Sequence, residues 1–318
     1  MPTVLITDHV FSSIGLERKI LESAGFVLEE VKPVCKTENE VIQRCGRADV
    51  LLVQWAPITR RVLESLPQVR AVVRYGIGVD NIDVKSAKEL GRMVANVPHY
   101  CQEEVSDHTL AMIVSLARRI PHDHNQIVHG GWGIGPFLPI SAFSDVILGL
   151  VGFGSIARKV SEKAKPFRFR QIAFDPLAPD TAFADRGVEQ VDRDTVLRTA
   201  DIISLHCPLR AETRHMINAD SIAQMKPGVL LINTARGLLV NEADLISALK
   251  SRKIGGAGLD VFEKEPLPVD SPLRTLPNVI LTSHAASVSE RARDMLQIKA
   301  AESARDFLLG KRPEGALV

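Results

Sequence analysis

An arginine, a glutamate and a histidine are the residues of this chain best suited to chemistry. Arg236, Glu265 and His284 each stand at or just after the end of a strand-like apolar run. A guanidinium grips a planar carboxylate through two parallel hydrogen bonds. An imidazole titrates near neutral pH, so it can take a hydroxyl proton or return it. A carboxylate bonded to an imidazole favours the ring's charged form. A cation for a carboxylate, an imidazole for a proton and a carboxylate to tune it suit redox chemistry on a 2-hydroxy acid. Singly, an Arg at a strand end is more often a surface ion-pair partner, and a His more often packed or solvated. Only the three together, on a nucleotide fold, argue for catalysis.

The nucleotide signature lies upstream. Gly152-Phe153-Gly154-Ser155-Ile156-Ala157 follows an apolar strand and opens a helix. In that context Gly152 permits a tight turn, Gly154 lets backbone approach a pyrophosphate, and Ala157 allows close helix–sheet packing. The helix start at Ser155 and Ile156 supplies N–H groups and partial positive charge for the anion. Asp175 ends the next strand, 21 positions after Gly154 (175 − 154). A carboxylate there accepts ribose hydroxyls and repels a 2′-phosphate, which favours NAD over NADP. His206-Cys207-Pro208 ends a further strand, and the loop through Thr213 is placed to cover the adenosine. An ordinary turn is the plainer reading of that segment.

The elements that must position these residues alternate along the chain. Apolar runs at Val4 to Thr7, Phe26 to Val31, Asp49 to Gln54, Val69 to Arg74 and Val94 to Val97 read as strands separated by helices. One of those helices runs from Ser12, a candidate N-cap, to Ser23. A long helix from Gln102 to Arg119 follows, with Pro121 marking its end. The stretch Gly130 to Pro136 is too glycine-rich for a regular element. Six more strands, starting at Val146, Gln171, Asp201, Val229, Gly256 and Val279, interleave with helices, and a last helix spans Val288 to Leu309. β-branched runs alternating with helices indicate parallel sheets covered on both faces. The fold class is α/β, with two Rossmann-like doubly wound domains and an interdomain cleft. The expected division is 1–98 with 286–318 for the substrate and 99–285 for NAD.

Composition narrows the partners. The net charge of +1, from 39 basic and 38 acidic residues, offers no electrostatic argument for nucleic acid or an anionic membrane. Cys35, Cys45, Cys101 and Cys207 form no C-x-x-C pair, and their scatter fits a reducing compartment. No signal peptide or membrane span is legible, so a cytoplasmic location is expected. His122, His124 and His129 lack metal-site spacing and read as a solvated or interface surface, so no metal is expected.

The ordered motifs Arg74-Tyr75-Gly76-Ile77-Gly78-Val79-Asp80-Asn81-Ile82-Asp83, the Gly152 fingerprint, His206-Cys207-Pro208-Leu209, Asn233-Thr234-Ala235-Arg236-Gly237, Gly258 to Pro266 and His284-Ala285-Ala286 carry a resemblance over nearly the whole chain. It resembles the D-isomer-specific 2-hydroxy acid dehydrogenases. The resemblance implies that Arg236 binds the substrate, that Glu265 pairs with the catalytic His284, and that Asp260 meets the nicotinamide carboxamide. It places Thr109, Thr234 and Ala235 at the cofactor and Gly76, Ile77 and Gly78 at the substrate carboxylate. It further implies a homodimer acting on a small 2-hydroxy or 2-keto acid, with the excursion around Trp132 as a dimer arm.

Two departures bear on the substrate. Phosphoglycerate dehydrogenases of the family carry an Arg-Ser-Arg type segment where this chain has Val53-Gln54-Trp55-Ala56-Pro57. Trp55 either walls an apolar substrate pocket or caps the core. Glu265 stands where the family's formate dehydrogenases have glutamine, and Ser287 where its corepressors have tryptophan. A corepressor-like NAD(H)-sensing scaffold and a phosphoglycerate dehydrogenase are the alternatives to a reductase of unphosphorylated acids.

Overall fold

Five short strands build the first sheet of the computed structural model, which describes residues 1–133 and 140–318. They are β1 (Thr3–Ile6), β2 (Val27–Glu30), β3 (Val50–Val53), β4 (Ala71–Arg74) and β5 (Met93–Ala95). All pair in parallel, in the order β2-β1-β3-β4-β5. Helices α1 (Gly15–Ser23), α2 (Glu38–Arg44), α3 (Arg60–Ser65) and α4 (Val84–Glu89) supply the crossovers. Every residue of β3 is buried, because helices cover both faces of a parallel sheet. The last helix, Glu290–Leu308, belongs to this unit, which comprises Met1–Tyr100 and Val288–Val318. It packs on the sheet through Leu296, Ala300, Ala301 and Ala304. The tail then returns to the sheet edge, where Ala316 bridges Ala95 in the antiparallel sense.

The second unit, Cys101–Ser287, holds a seven-stranded parallel sheet. It opens with α5 (Gln102–Ala117) and α6 (Ile120–Val128). The strands are β6 (Ile147–Val151), β7 (Arg170–Phe174), β8 (Glu189–Gln190), β9 (Ile202–Leu205), β10 (Val229–Asn233), β11 (Ile254–Leu259) and β12 (Val279–Leu281). Their order is β12-β11-β10-β9-β6-β7-β8. The chain thus winds outward one way from β6 and then reverses to β9, the doubly wound arrangement expected. The reversal opens a crevice between the carboxyl ends of β6 and β9, where such folds bind ligands.

The local reading needs correction in four places. Helix α1 starts at Gly15 rather than Ser12, since the Ser13 hydroxyl accepts from Gly15 N–H (3.1 Å) and closes a turn ahead of it. The long helix ends at Ala117, ahead of Pro121 as expected, but Pro121 also opens a further helix, α6. Arg119, at φ 54, breaks the path, and a proline in the first turn costs no hydrogen bond. Helix α4 follows the Asp83 side chain, which accepts from Ser86 N–H (2.9 Å). The second sheet has a seventh strand, β8, too short and too exposed to leave a periodic signal. The glycine-rich excursion lies partly outside the described residues. Among those described, Trp132 is 90% exposed.

Candidate functional site

The fingerprint glycines fit the crevice of the second unit. Gly152 ends β6 at φ 87, and a Cβ there would sit 2.7 Å from Cys207 N and 2.8 Å from the His206 carbonyl carbon. Only glycine lets the β6 turn lie against the end of β9. At Gly154 a Cβ would meet nothing within 4 Å, so the backbone faces open space. Helix α7 (Ser155–Ala164) starts there with no side-chain cap on its first N–H groups. An uncapped helix start beside open space suits a pyrophosphate. Asp175 stands at the end of β7 with one oxygen accepting Phe153 N–H (2.7 Å) and the other Leu177 N–H (2.8 Å) and Ala178 N–H (3.2 Å). These bonds hold its carboxylate at the rim of the crevice.

His206 and the loop after it line the other wall. The His206 ring meets the Ser204 hydroxyl (2.9 Å). The residue is partly exposed, but desolvation of its imidazole pushes its pKa down to about 4. Burial likewise raises the Cys207 thiol to about 11, so it stays protonated and unreactive. Thr213 closes the loop, its hydroxyl donating to Pro208 O and accepting from Arg210 N–H, both at 2.8 Å. The His206 shift has a thermodynamic consequence. Between its ordinary value of 6.5 and about 4, the unfolded chain binds a proton here that the folded chain refuses. Stability therefore falls as pH drops through that window. Urea midpoints measured from about pH 7 to about pH 5 should fall more steeply for the wild type than for His206→Gln. Parallel slopes would refute the desolvation.

Three strand ends of the same sheet carry the candidate catalytic residues. After β12 the chain turns back through His284, at φ 54, whose N–H donates to Asp260 O (2.8 Å). Its Nδ1 lies 2.7 Å from Glu265 Oε2. An ionised carboxylate only accepts, so Nδ1 carries the proton of this bond. Glu265 Oε1 accepts Phe262 N–H (3.0 Å). Burial pushes the Glu265 carboxyl up, but the bond to His284, that ring's charge, the Phe262 amide and the nearby Arg236 guanidinium outweigh it. The net shift is downward from the usual 4.5.

Arg236 follows β10 on a turn clamped by Asn233. The Asn233 amide donates to Arg236 O (2.8 Å) and accepts Ala235 N–H (3.1 Å). The guanidinium donates to Ala235 O (2.6 Å). Gly237 makes the decisive approach. A Cβ there would land on the Phe262 carbonyl and 2.6 Å from Glu263 N. The bare α-carbon thus brings the Arg236 turn against the segment that leads to Glu265.

Two further cofactor candidates, Asp260 and Thr109, are buried and hydrogen-bonded. Asp260 is 1% exposed, and its oxygens accept from the Thr282 hydroxyl (2.5 Å), Ala285 N–H (2.8 Å) and Ala286 N–H (3.0 Å). These bonds shape the turn that presents His284. Thr109 has no exposed surface and shares its hydroxyl between Val105 O (2.7 Å) and Thr234 Oγ1 (2.8 Å). Its hydroxyl is thus tied directly to Thr234, the next candidate for the cofactor. Asn233 and Gly237 stand in a sequence motif but carry no role there, and His108, whose ring bonds the Thr282 hydroxyl (3.0 Å), is not singled out by the sequence. A glycine directly after a functional arginine was the available signal for Gly237. Among the described residues no cluster of His, Cys, Asp or Glu is arranged to hold a metal.

The first unit carries its own candidate loops. At Gly76, φ 140, the Arg74 guanidinium fills the place a side chain would take. The Gly76 carbonyl accepts from Val97 N–H (3.0 Å) and the Ile77 carbonyl from Asn96 Nδ2 (2.6 Å). Trp55 is 51% exposed. The amides of its loop all point at the buried Asp8: Gln54 N–H at 3.1 Å, Trp55 N–H at 2.6 Å and Ala56 N–H at 3.2 Å.

Known proteins share this architecture. A family model described as "D-isomer specific 2-hydroxyacid dehydrogenase, NAD binding domain" matches residues 110–286. A D-3-phosphoglycerate dehydrogenase of Methanocaldococcus jannaschii is 37% identical over 319 residues, spanning 100% of this chain but only 59% of that protein. A glyoxylate reductase of Korarchaeum cryptofilum is 37% identical over 90% of this chain and 86% of its own length. The crystal structure of a glyoxylate reductase from Paecilomyes thermophila superposes with a TM-score of 0.89 at 25% identity, covering 99% of this chain and 98% of that one.

Proposed function

The chain belongs to the D-isomer specific 2-hydroxyacid dehydrogenase family, and from that premise we propose that it reduces a small, unphosphorylated 2-keto acid with NADH. The observation that carries the reading is the 2.7 Å bond between His284 Nδ1 and Glu265. It leaves Nε2 to give a proton to the keto oxygen on reduction, and the adjacent carboxylate balances the ring's charge before that transfer. Arg236 holds the carboxylate and carbonyl oxygen of the substrate. In the first unit, the family resemblance assigns the loop Gly76-Ile77-Gly78, with the amides of Ile77 and Gly78, to a substrate carboxylate. Gly152, Gly154, Asp175 and the start of α7 hold the dinucleotide. When bound, that cofactor supplies the hydride; the protein supplies alignment.

An unphosphorylated substrate is supported by the loop after β3. It has no cation at residues 54–56, its three amides are taken by Asp8, and it presents an exposed indole. A phosphate would find no cation there and none of the three backbone amides free. The same reading includes a cytoplasmic homodimer. Its support is the family resemblance and the exposed apolar surface of Ile120, Ile127, Val128 and Trp132.

The test is a panel. NADH and NADPH oxidation is followed with glyoxylate, hydroxypyruvate, pyruvate, phenylpyruvate and phosphohydroxypyruvate, for the wild type and for Asp175→Ala. We expect turnover with one of the first four, preference for NADH, and a narrowed preference in the variant. Turnover confined to the phosphorylated acid would refute the substrate class. NADH binding with no turnover at all would favour a scaffold.

A further inference from the structure

The amides of Ile77 and Gly78 are aimed by a segment far away in sequence. A peptide group is planar and trans, so its C=O and N–H point in opposite directions. Anchoring one residue's carbonyl therefore sets where the next residue's N–H points. Two successive carbonyls are anchored here, Gly76 O by Val97 N–H (3.0 Å) and Ile77 O by the Asn96 side chain (2.6 Å). The N–H groups they direct belong to Ile77 and Gly78. Neither has an acceptor among the described residues, and both residues are partly exposed.

Asn96 is in turn held by the tail of the chain. Its N–H donates to Gly315 O (3.0 Å), and Leu317 N–H donates to Val94 O (2.8 Å) on the strand that leads into it. Gly315 is buried, and a Cβ there would fall on the Asn96 carbonyl and 3.0 Å from Asn96 Oδ1. Only a glycine lets the tail lie this close. Ala316 adds the antiparallel bridge to Ala95. The backbone of Asn96 is thus tied to residues 313–318 and its side chain to the loop.

We propose that Asn96 is a positioning residue, and the segment 313–318 its clamp, for the two amides that receive the substrate carboxylate. The inference rests on the reading above of that loop. Without the clamp, the end of β5 frays, the Asn96 amide leaves Ile77 O, and the Gly78 N–H loses its direction. The cost falls on capture of the anion, not on the acid–base pair of the other unit.

The experiment compares the wild type with a chain ended after Arg312, with Asn96→Ala, with Gly315→Val, and with the truncation combined with Asn96→Ala. Oxalate binding is measured by titration calorimetry in the presence of NADH, alongside KM and kcat for the best acid of the panel and the Kd for NADH. Each single change is expected to weaken oxalate binding and raise KM by about tenfold, the effect of one hydrogen bond to a charged group. Expected values of kcat stay within about twofold of wild type, and NADH affinity is unchanged. The combined variant should be no worse than the truncation, because both act through one amide. Wild-type oxalate affinity in the soluble variants overturns the proposal, as does a loss shared by kcat and NADH affinity or a wild type that binds no oxalate. Oxalate binding that follows the expected pattern in a protein without keto-acid turnover would sink the assigned reaction and leave the clamp standing.

Discussion

Replacing His284 is expected to abolish turnover while NADH still binds. The ring's Nδ1 is committed to Glu265, so Nε2 is the group that meets the substrate oxygen. General acid–base catalysis of this kind contributes roughly 10²–10⁴ in rate. The loss should appear in kcat, since the ring is not part of the nucleotide crevice. Backbone strain needs separate control. His284 sits at φ 54, a conformation that alanine tolerates poorly and asparagine well. His284→Asn therefore keeps the turn and removes the proton donor. Both variants should fall to the same low kcat with the Kd for NADH near wild type. Turnover within about tenfold of wild type in either would exclude the assignment.

Glu265 gives this pair its pH dependence. Its carboxyl is held below 4.5, so the bond to His284 contributes fully above that value. The contribution is lost as pH falls through the lowered folded value. In Glu265→Gln the charge is absent at every pH. Its rate should be reduced by about one to two orders of magnitude, with NADH affinity near wild type. A wild-type rate in this variant would deny the coupling.

Gly237→Ala should damage both fold and rate, although residue 237 offers no chemistry. Its new Cβ meets the backbone of Phe262 and Glu263, which cannot rotate away as a side chain would. Overpacking of this kind costs about 1–3 kcal/mol, or more when backbone must move. For a domain of this size that lowers Tm by roughly 5 °C or more. Relief of the clash separates the Arg236 turn from the segment that ends at Glu265. A displacement of about 1 Å in a catalytic constellation can cost about 10² in rate. We therefore expect kcat/KM to fall about a hundredfold at a temperature well below the melting transition. Gly237→Ala with wild-type Tm and rate would show that the two segments are not held by contact.

Much of this was legible in the chain itself. Each motif is encoded within a few residues: the glycines after β6, the arginine after β10, the histidine after β12 and the acid after β7. Alternation of β-branched runs with helices declared parallel sheets, because a strand covered on both faces must be apolar throughout. The misread element ends had local causes too, such as the turn closed by Ser13 and the left-handed Arg119 ahead of Pro121.

Residue types and short spacings therefore determined the class of chemistry, the nucleotide fingerprint and the layered architecture. Which polar groups remained open to a ligand was decided only when distant segments met. Asp260, which the resemblance assigns to the nicotinamide, also holds the turn ahead of His284 through bonds from residues 282, 285 and 286. Thr109 is enclosed behind a threonine 125 positions away, and Asn96 answers to the tail. A hydrogen-bonding side chain carries the same capacity in any sequence, but its partner is chosen by strand order and by the close approaches that glycines permit. Neither is written within the reach of a local pattern.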